Sequence, residues 1–292
     1  MKVVITIPAY NEEKTLPPVL KELKEVTTKL PHEFVFLVAN DGSTDKTAEV
    51  AKKAGAIVVG HARNRGLAET FKVEMRECLK LKPDVIIHTD ADGQYDPKHI
   101  AEFISMIEKG YDLVLGCRFT GKMEHMPFLK KLGNKAFASV ISKMTKTTIT
   151  DSTTGYRAFT VAVARDIEYI NTFTYTQEQI IKAAKMGFKI GEIPINSRHT
   201  RESRLFKNPF EYAIKAWINI FRIYRDYDPL VFFGRIGLMF LVLGFGMGLW
   251  VLYSILITGG VGGIPRVILS AVLLLTGVQI ILFGFLADMM KR

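Results

Sequence analysis

Cysteine is nearly absent from this 292-residue chain: Cys78 and Cys117 are its only two. Two thiols build no disulfide framework, and so low a count fits a reducing compartment. Carboxylates are also in deficit. The 29 Asp and Glu face 39 Lys and Arg, which leaves a formal net charge of +10. Such an excess suits an anionic partner, whether nucleic acid, an anionic membrane surface or a phosphorylated substrate. The basic stretches lack interleaved aromatic side chains, and without those stacking platforms nucleic acid is not expected. Val3 to Ile7 already reads as a strand, so a cleavable signal peptide is not expected either.

Charge itself disappears in the last quarter. Phe232 to Ile257 carries one charge, Arg235, and Ile264 to Ala287 carries one, Arg266. Each run is long enough to cross a hydrocarbon core of about 30 Å. The turn between them, Thr258 to Gly263, is uncharged, whereas Arg222, Arg225 and Arg235 lie at one outer end and Lys291 and Arg292 at the other. The positive-inside rule then places both ends in the cytoplasm. The expectation is an integral protein of the cell membrane, with its catalytic domain and C-terminus cytoplasmic. Between the folded part and the first run, Asn208-Pro209 opens a helix whose Phe210, Ile214, Trp217, Phe221 and Tyr224 form one apolar stripe. It reads as a helix lying in the membrane interface, or else as one that covers the folded domain.

The first two hundred residues alternate. Val3–Ile7, Glu33–Val38, Ala56–Val59, Val85–Ile87 and Asp112–Leu115 read as strands, with helical stretches between them, including Asp45–Ala54 and His99–Glu108. Ser43 or Thr44 is the expected cap of the former. This alternation predicts an α/β domain with a parallel sheet and helices on both faces. Pro8–Glu12, Asn40–Asp45, Asn64–Gly66 and Asp90–Gln94 each follow a strand, which gathers them at one edge of such a sheet. Any one of these clusters is also ordinary turn chemistry. The fourth is the most specific. In an extended chain Asp90 and Asp92 point to one side, and Gln94 can join them once Gly93 turns the backbone. Three hard oxygen donors suit Mg²⁺ or Mn²⁺, with the remaining positions shared by water and substrate phosphates.

Pro8-Ala9-Tyr10-Asn11-Glu12-Glu13, Asn40-Asp41-Gly42-Ser43-Thr44-Asp45, Asn64-Arg65-Gly66, Asp90-Ala91-Asp92-Gly93-Gln94, Gly116-Cys117-Arg118-Phe119 and Asp151-Ser152-Thr153-Thr154-Gly155-Tyr156-Arg157 follow one another in an informative order. Together they resemble glycosyltransferase family 2. With the membrane tail they resemble its polyprenyl-phosphate (dolichyl-phosphate) glycosyltransferases, such as dolichol-phosphate-mannose and -glucose synthases. The resemblance implies a GT-A (Rossmann-like) domain over residues 1–207, an amphipathic interfacial helix over 208–228 and a transmembrane hairpin over 229–292. It implies inverting transfer of a hexose from a nucleotide sugar, of GDP-mannose or UDP-glucose type, to a polyprenyl or dolichyl phosphate. The implied nucleotide-binding residues are Pro8, Ala9, Tyr10, Glu12, Asn40, Asp41, Asn64, Asp90 and Ala91. Arg201 or Arg198 would close over the phosphates. Asp90, Asp92 and Gln94 would hold Mg²⁺ or Mn²⁺. Arg118, Lys130 and Asn134 would face the acceptor phosphate, with Asp92 and Arg118 the catalytic pair.

The departures from the family pattern matter. Lys130 and Asn134 stand where many members carry Arg and Ser, and a Lys offers a point charge instead of a bidentate fork. Asn40 replaces a first Asp. Gln177-Glu178 stands where some members place a base within Glu-Asp; an acceptor phosphate, already ionised, needs none. The Gln-x-x-Arg-Trp signature of processive polysaccharide synthases is absent. The run from Arg118 to Lys146 opposes Lys122, Lys130, Lys131, Lys135, Lys143 and Lys146 to Glu124 alone, which fits a funnel for lipid phosphate at an anionic membrane, or a solvated helix face. Membrane lipids are therefore expected partners, and homo-oligomerisation is left open. Two alternatives stand beside this reading: transfer to a sugar hydroxyl of a glycolipid or polysaccharide, and a non-catalytic, membrane-tethered nucleotide-sugar binder.

Overall fold

The computed structural model describes residues 1–121, 128–169, 175–198, 218, 221, 222, 225–260 and 263–290. The chain divides into two compact units, Met1–Ala213 and Ile214–Arg292.

Among the described residues of the first unit, seven strands form one sheet: β1 (Lys2–Ala9), β2 (Glu33–Asp41), β3 (Ile57–His61), β4 (Val85–His88), β5 (Leu113–Cys117), β6 (Arg157–Thr160) and β7 (Ile190–Pro194). Their order is β3-β2-β1-β4-β6-β5-β7. The inner strands are apolar without alternation, because helices cover both faces of the sheet. Val3, Val4, Ile5 and Ile7 are all fully buried, as are Ile86 and Ile87. Helices α1 (Leu16–Thr27), α2 (Thr47–Lys53), α3 (Leu67–Lys80), α4 (Ile100–Glu108), α5 (Phe128–Thr145), α6 (Val161–Asp166) and α7 (Thr176–Lys185) complete the layers. In α1, Leu16, Leu20, Leu23 and Thr27 recur at helical spacing and bury one face.

The expected parallel pairing holds throughout the sheet except at one strand. Strand β6 runs antiparallel to both neighbours, with Arg157 opposite His88 on one side and Leu115 on the other. Four residues that open on an arginine give too short an apolar signal to read as a buried strand. The reversal has a consequence for the site. The start of β6 lies beside the ends of β4 and β5, so the segment Asp151–Tyr156 arrives at the edge where the other polar clusters gather.

The capping expectation also changes. Asp45 accepts the Thr47 N–H at 3.0 Å through Oδ1 and so closes the first turn of α2. Ser43 instead accepts the Asn11 N–H at 3.0 Å, and Thr44 N–H donates to Asn11 Oδ1 at 2.9 Å. These bonds tie the turn after β2 to the turn after β1.

In the second unit two helices, Pro229–Thr258 and Ile264–Met289, pack against each other through small residues. A methyl added at Gly237 would lie 2.7 Å from the Gly277 carbonyl oxygen, and Ser270 Oγ donates to the Gly244 carbonyl at 2.8 Å. Such close backbone approach is how helices associate in lipid. Both are long and apolar enough to cross a membrane, with mean hydropathy 2.2 and 2.4. Their side chains are largely uncovered, unlike those of a core helix. Most of the amphipathic helix expected over 208–228 lies outside the described residues.

Candidate active site

The turns after β1, β2 and β3 are built as one cluster. Ala9 pairs in register with Asn40, and Asn40 with Gly60. Asp41, almost fully buried, accepts the N–H groups of Arg65 at 2.8 Å and Gly66 at 2.9 Å, one on each carboxylate oxygen. Gly42 takes a positive φ of 67°, and a Cβ there would meet the Arg63 backbone at 2.4 Å. Only glycine lets these two turns approach so closely. Glu12 is buried; its N–H donates to Thr47 Oγ1 at 2.8 Å and its carboxylate accepts from Thr15 Oγ1 at 2.5 Å. Pro8 is half-buried, whereas Tyr10 and Asn64 are exposed at the rim.

Strand β4 delivers the second cluster. Asp92 Oδ1 accepts the Gln94 N–H at 3.0 Å, and Gly93 makes the turn with φ 76°. Burial and the neighbouring Asp92 charge raise the Asp90 carboxyl to about 7, against the pull of Arg118, Arg157 and a hydrogen bond from Tyr95. The Tyr95 hydroxyl also accepts the Gly155 N–H at 3.2 Å. Gly155 sits directly over Asp90: a Cβ on it would lie 2.9 Å from Oδ1 and 3.0 Å from Oδ2.

Arg118, at the end of β5, is 5 % exposed. Its Nε and Nη2 donate to Asp151 at 2.7 and 2.9 Å, and Nη2 also reaches Thr153 Oγ1 at 2.8 Å. This is a bidentate, charge-assisted pair. Burial works against the charge of Asp151, but the Arg118 guanidinium overcomes it and holds the carboxyl below its usual range. Arg118 is also within electrostatic reach of Asp90. Acid cluster and cation thus share one edge of the sheet.

Residues 4–168 match the family model described as glycosyl transferase family 2. The chain belongs to glycosyl transferase family 2. A dolichyl-phosphate hexose transferase of Haloferax volcanii is 34% identical over 66% of this chain and 82% of its own length. A dolichol-phosphate mannosyltransferase of Pyrococcus furiosus is 30% identical over 92% and 78%. Among solved structures, glucosyl-3-phosphoglycerate synthase from Mycobacterium tuberculosis, in complex with Mn²⁺, uridine diphosphate and glucosyl-3-phosphoglycerate, superposes with a TM-score of 0.60. At 15% identity, over 76% of this chain and 78% of that one, the likeness is one of fold.

Other expected residues of this glycosyltransferase fall less simply. Arg198 is tied to neighbouring parts of the fold. Its Nη1 donates to Glu22 on α1 at 2.8 Å, its Nη2 lies 4.0 Å from Asp96, and its N–H donates to the Gln94 carbonyl at 2.8 Å. Arg201 lies outside the described residues, as does the Lys130 side chain. Asn134 is buried on the covered side of α5.

Beneath the site lies a polar layer that sequence reasoning missed. His88 Nδ1 donates to the Gly155 carbonyl at 2.8 Å, and Nε2 faces Glu74 Oε2 at 3.4 Å. Thr6 Oγ1 donates to the same Glu74 oxygen at 2.9 Å. Burial lowers His88 to about 3 and raises Glu74 to about 8, so at neutral pH the pair is uncharged, with the proton on Glu74. Arg157, fully buried, donates to the carbonyls of Thr154 and Thr176 and to Gln179, beneath the Tyr175 ring. The available signal was modest: a Thr inside one apolar strand, a His ending a second, and an Arg opening a third.

Proposed function

We propose that this protein is a membrane-anchored, inverting hexosyltransferase. Its donor would be a nucleotide sugar of GDP-mannose or UDP-glucose type, and its acceptor a polyprenyl or dolichyl phosphate at the cytoplasmic face. The observation that carries this reading is the juxtaposition of the Asp90–Asp92 cluster with an Asp151-clamped arginine, in a chain with two apolar helices. An acceptor phosphate oxygen would attack the anomeric carbon, and the bond from that carbon to the diphosphate would break. The electron pair leaves with the nucleoside diphosphate, and configuration inverts. No side chain has to remove a proton, because the acceptor is already ionised. Asp151 agrees with this, since both of its oxygens are committed to Arg118 and Thr153. Arg118 would hold the incoming phosphate and lower the repulsion between two anions.

Asp90, Asp92 and Gln94 fit a Mg²⁺ or Mn²⁺ ion. Burial and mutual repulsion oppose the ionisation of Asp90, and a divalent cation relieves both. Among the described residues no group of three or more His, Cys, Asp or Glu is placed for a metal. The two carboxylates and Gln94 would therefore share coordination with the donor phosphates. Such an ion, when bound, offsets the charge of the departing diphosphate. Pro8, Ala9, Tyr10, Glu12, Asn40, Asp41, Asn64, Asp90 and Ala91 would bind the nucleotide, and Arg201 or Arg198 would close over the phosphates.

The test is transfer of radiolabelled sugar from a panel of GDP- and UDP-hexoses to polyprenyl phosphate by the full chain in detergent. Label should pass into the lipid extract. Label that reaches only a glycolipid hydroxyl would refute the acceptor. For the membrane face, a reporter fused after Arg292 should be cytoplasmic, and extracytoplasmic activity would overturn that assignment.

A further inference from the structure

Strand β7 carries a carboxylate that the chemistry above does not use. Glu192 pairs in register with Leu115 on β5, three residues before Arg118. Its Oε1 accepts two main-chain N–H groups, Thr150 at 2.8 Å and Asp151 at 3.1 Å, and its Oε2 accepts the Thr150 hydroxyl. Thr150 Oγ1 also lies 2.9 Å from Cys117 Sγ, on the residue that precedes Arg118. No ion pair to Glu192 occurs among the described residues. Its hydrogen-bond donors among them all come from one dipeptide, Thr150-Asp151.

That dipeptide ends in Asp151, the residue that grips Arg118. The support therefore runs in a line: β7 holds Thr150 and Asp151 through Glu192, and the Asp151 side chain holds the guanidinium. Parallel pairing of β5 with β7 closes the circuit. A charged acceptor makes stronger bonds than a neutral one, and two N–H groups on one oxygen fix both position and direction. The same loop is held at its other end by a separate device, the Arg157 bond to the Thr154 carbonyl. The two ends thus serve different partners: Asp151 faces Arg118, and Gly155 faces Asp90.

We infer that Glu192 is a positioning residue for the acceptor phosphate, acting through Asp151 on Arg118, while leaving the Asp90–Asp92 side of the site unsupported. The inference rests on the acceptor role proposed above for Arg118. Its test is a split in kinetic constants, measured on the full chain in detergent with polyprenyl phosphate and the preferred nucleotide sugar. Glu192→Ala should raise the KM for polyprenyl phosphate at least about tenfold, with the donor KM within about twofold of the parent. Glu192→Gln keeps an oxygen for the two N–H groups, so it should return the acceptor KM to within about threefold. If Glu192→Ala does not fold, Thr150→Val, which removes only the hydroxyl arm, should raise the acceptor KM by about threefold and spare the donor KM. An acceptor KM unchanged in the variant that folds, or both KM values rising together, overturns the inference while the parent's activity stands. A parent that transfers nothing to polyprenyl phosphate withdraws the proposed function and this inference with it.

Discussion

Gly155→Ala adds a single methyl group and should cripple the Asp90 side of the site, the side proposed to hold the donor. The φ of Gly155 is not in the left-handed region, so the backbone itself would accept alanine. The obstacle is space. The new Cβ would stand 2.9 and 3.0 Å from the Asp90 oxygens and 3.3 Å from its Cγ. Ordinary contact needs about 3.4 Å or more, so one partner must give way by about half an ångström. If Asp90 swings aside, it gives up its hydrogen bond from Tyr95 and its place beside Asp92. If the loop lifts instead, it stretches the Gly155 N–H bond to Tyr95 and the His88 bond to the Gly155 carbonyl. Overpacking of this kind costs about 1–3 kcal/mol in stability. A misplacement of reacting groups by a fraction of an ångström costs about ten- to a hundredfold in rate. The assays are calorimetric titration of nucleotide sugar with Mn²⁺, steady-state turnover and thermal melting. Donor affinity and turnover should fall at least about tenfold, with acceptor KM little changed. A folded Gly155→Ala variant with parental donor affinity and turnover would refute the packing argument.

Three further outcomes are expected. Turnover should cease in excess EDTA and return with Mg²⁺ or Mn²⁺, and Asp92→Ala should lose at least about a hundredfold; full activity in EDTA excludes the metal reading. Asp151→Asn leaves Arg118 buried without its counter-charge, so it should destabilise by about 3 kcal/mol and weaken acceptor use, both visible as a lower Tm and a raised acceptor KM. Glu74 supplies the pH dependence: the unfolded chain releases its proton near 4.5 and the folded one near 8, so stability is lost as pH rises through that window. Glu74→Gln, which cannot ionise, should therefore melt several degrees above the parent at pH 8 and close to it at pH 5; an equal difference at both pH values would remove the buried carboxyl as the cause.

What the sequence reveals and what it hides divide along a physical line. Motifs in turns are legible because their chemistry is local. Asp90-Ala91-Asp92 follows an apolar strand, and the end of a strand at a sheet edge needs no tertiary information to place it. The two C-terminal helices are legible for the same reason, since length and the lack of charge suffice. Strand β6 was hidden because its direction is decided by two strands, β4 and β5, whose paired residues all lie more than forty residues earlier in the chain. The partner of Arg118 was hidden for a related reason. The sequence offers a lone arginine after β5, which looks available for a phosphate. Folding brings Asp151 to it, and Glu192 to Asp151, from two other stretches. A cation that is already paired is not thereby unfit for an anion. Nη1 carries none of the bonds to Asp151 or Thr153. The clamp fixes the plane of the guanidinium, so a second anion would meet a preset donor and not a mobile chain. That ordering raises the demands on the acceptor: a phosphate of fixed approach suits the arrangement better than a sugar hydroxyl, which would also require a base. The geometry around Asp151 therefore bears on the choice of acceptor more than Arg118 alone, and it is the part that no reading of local motifs could supply.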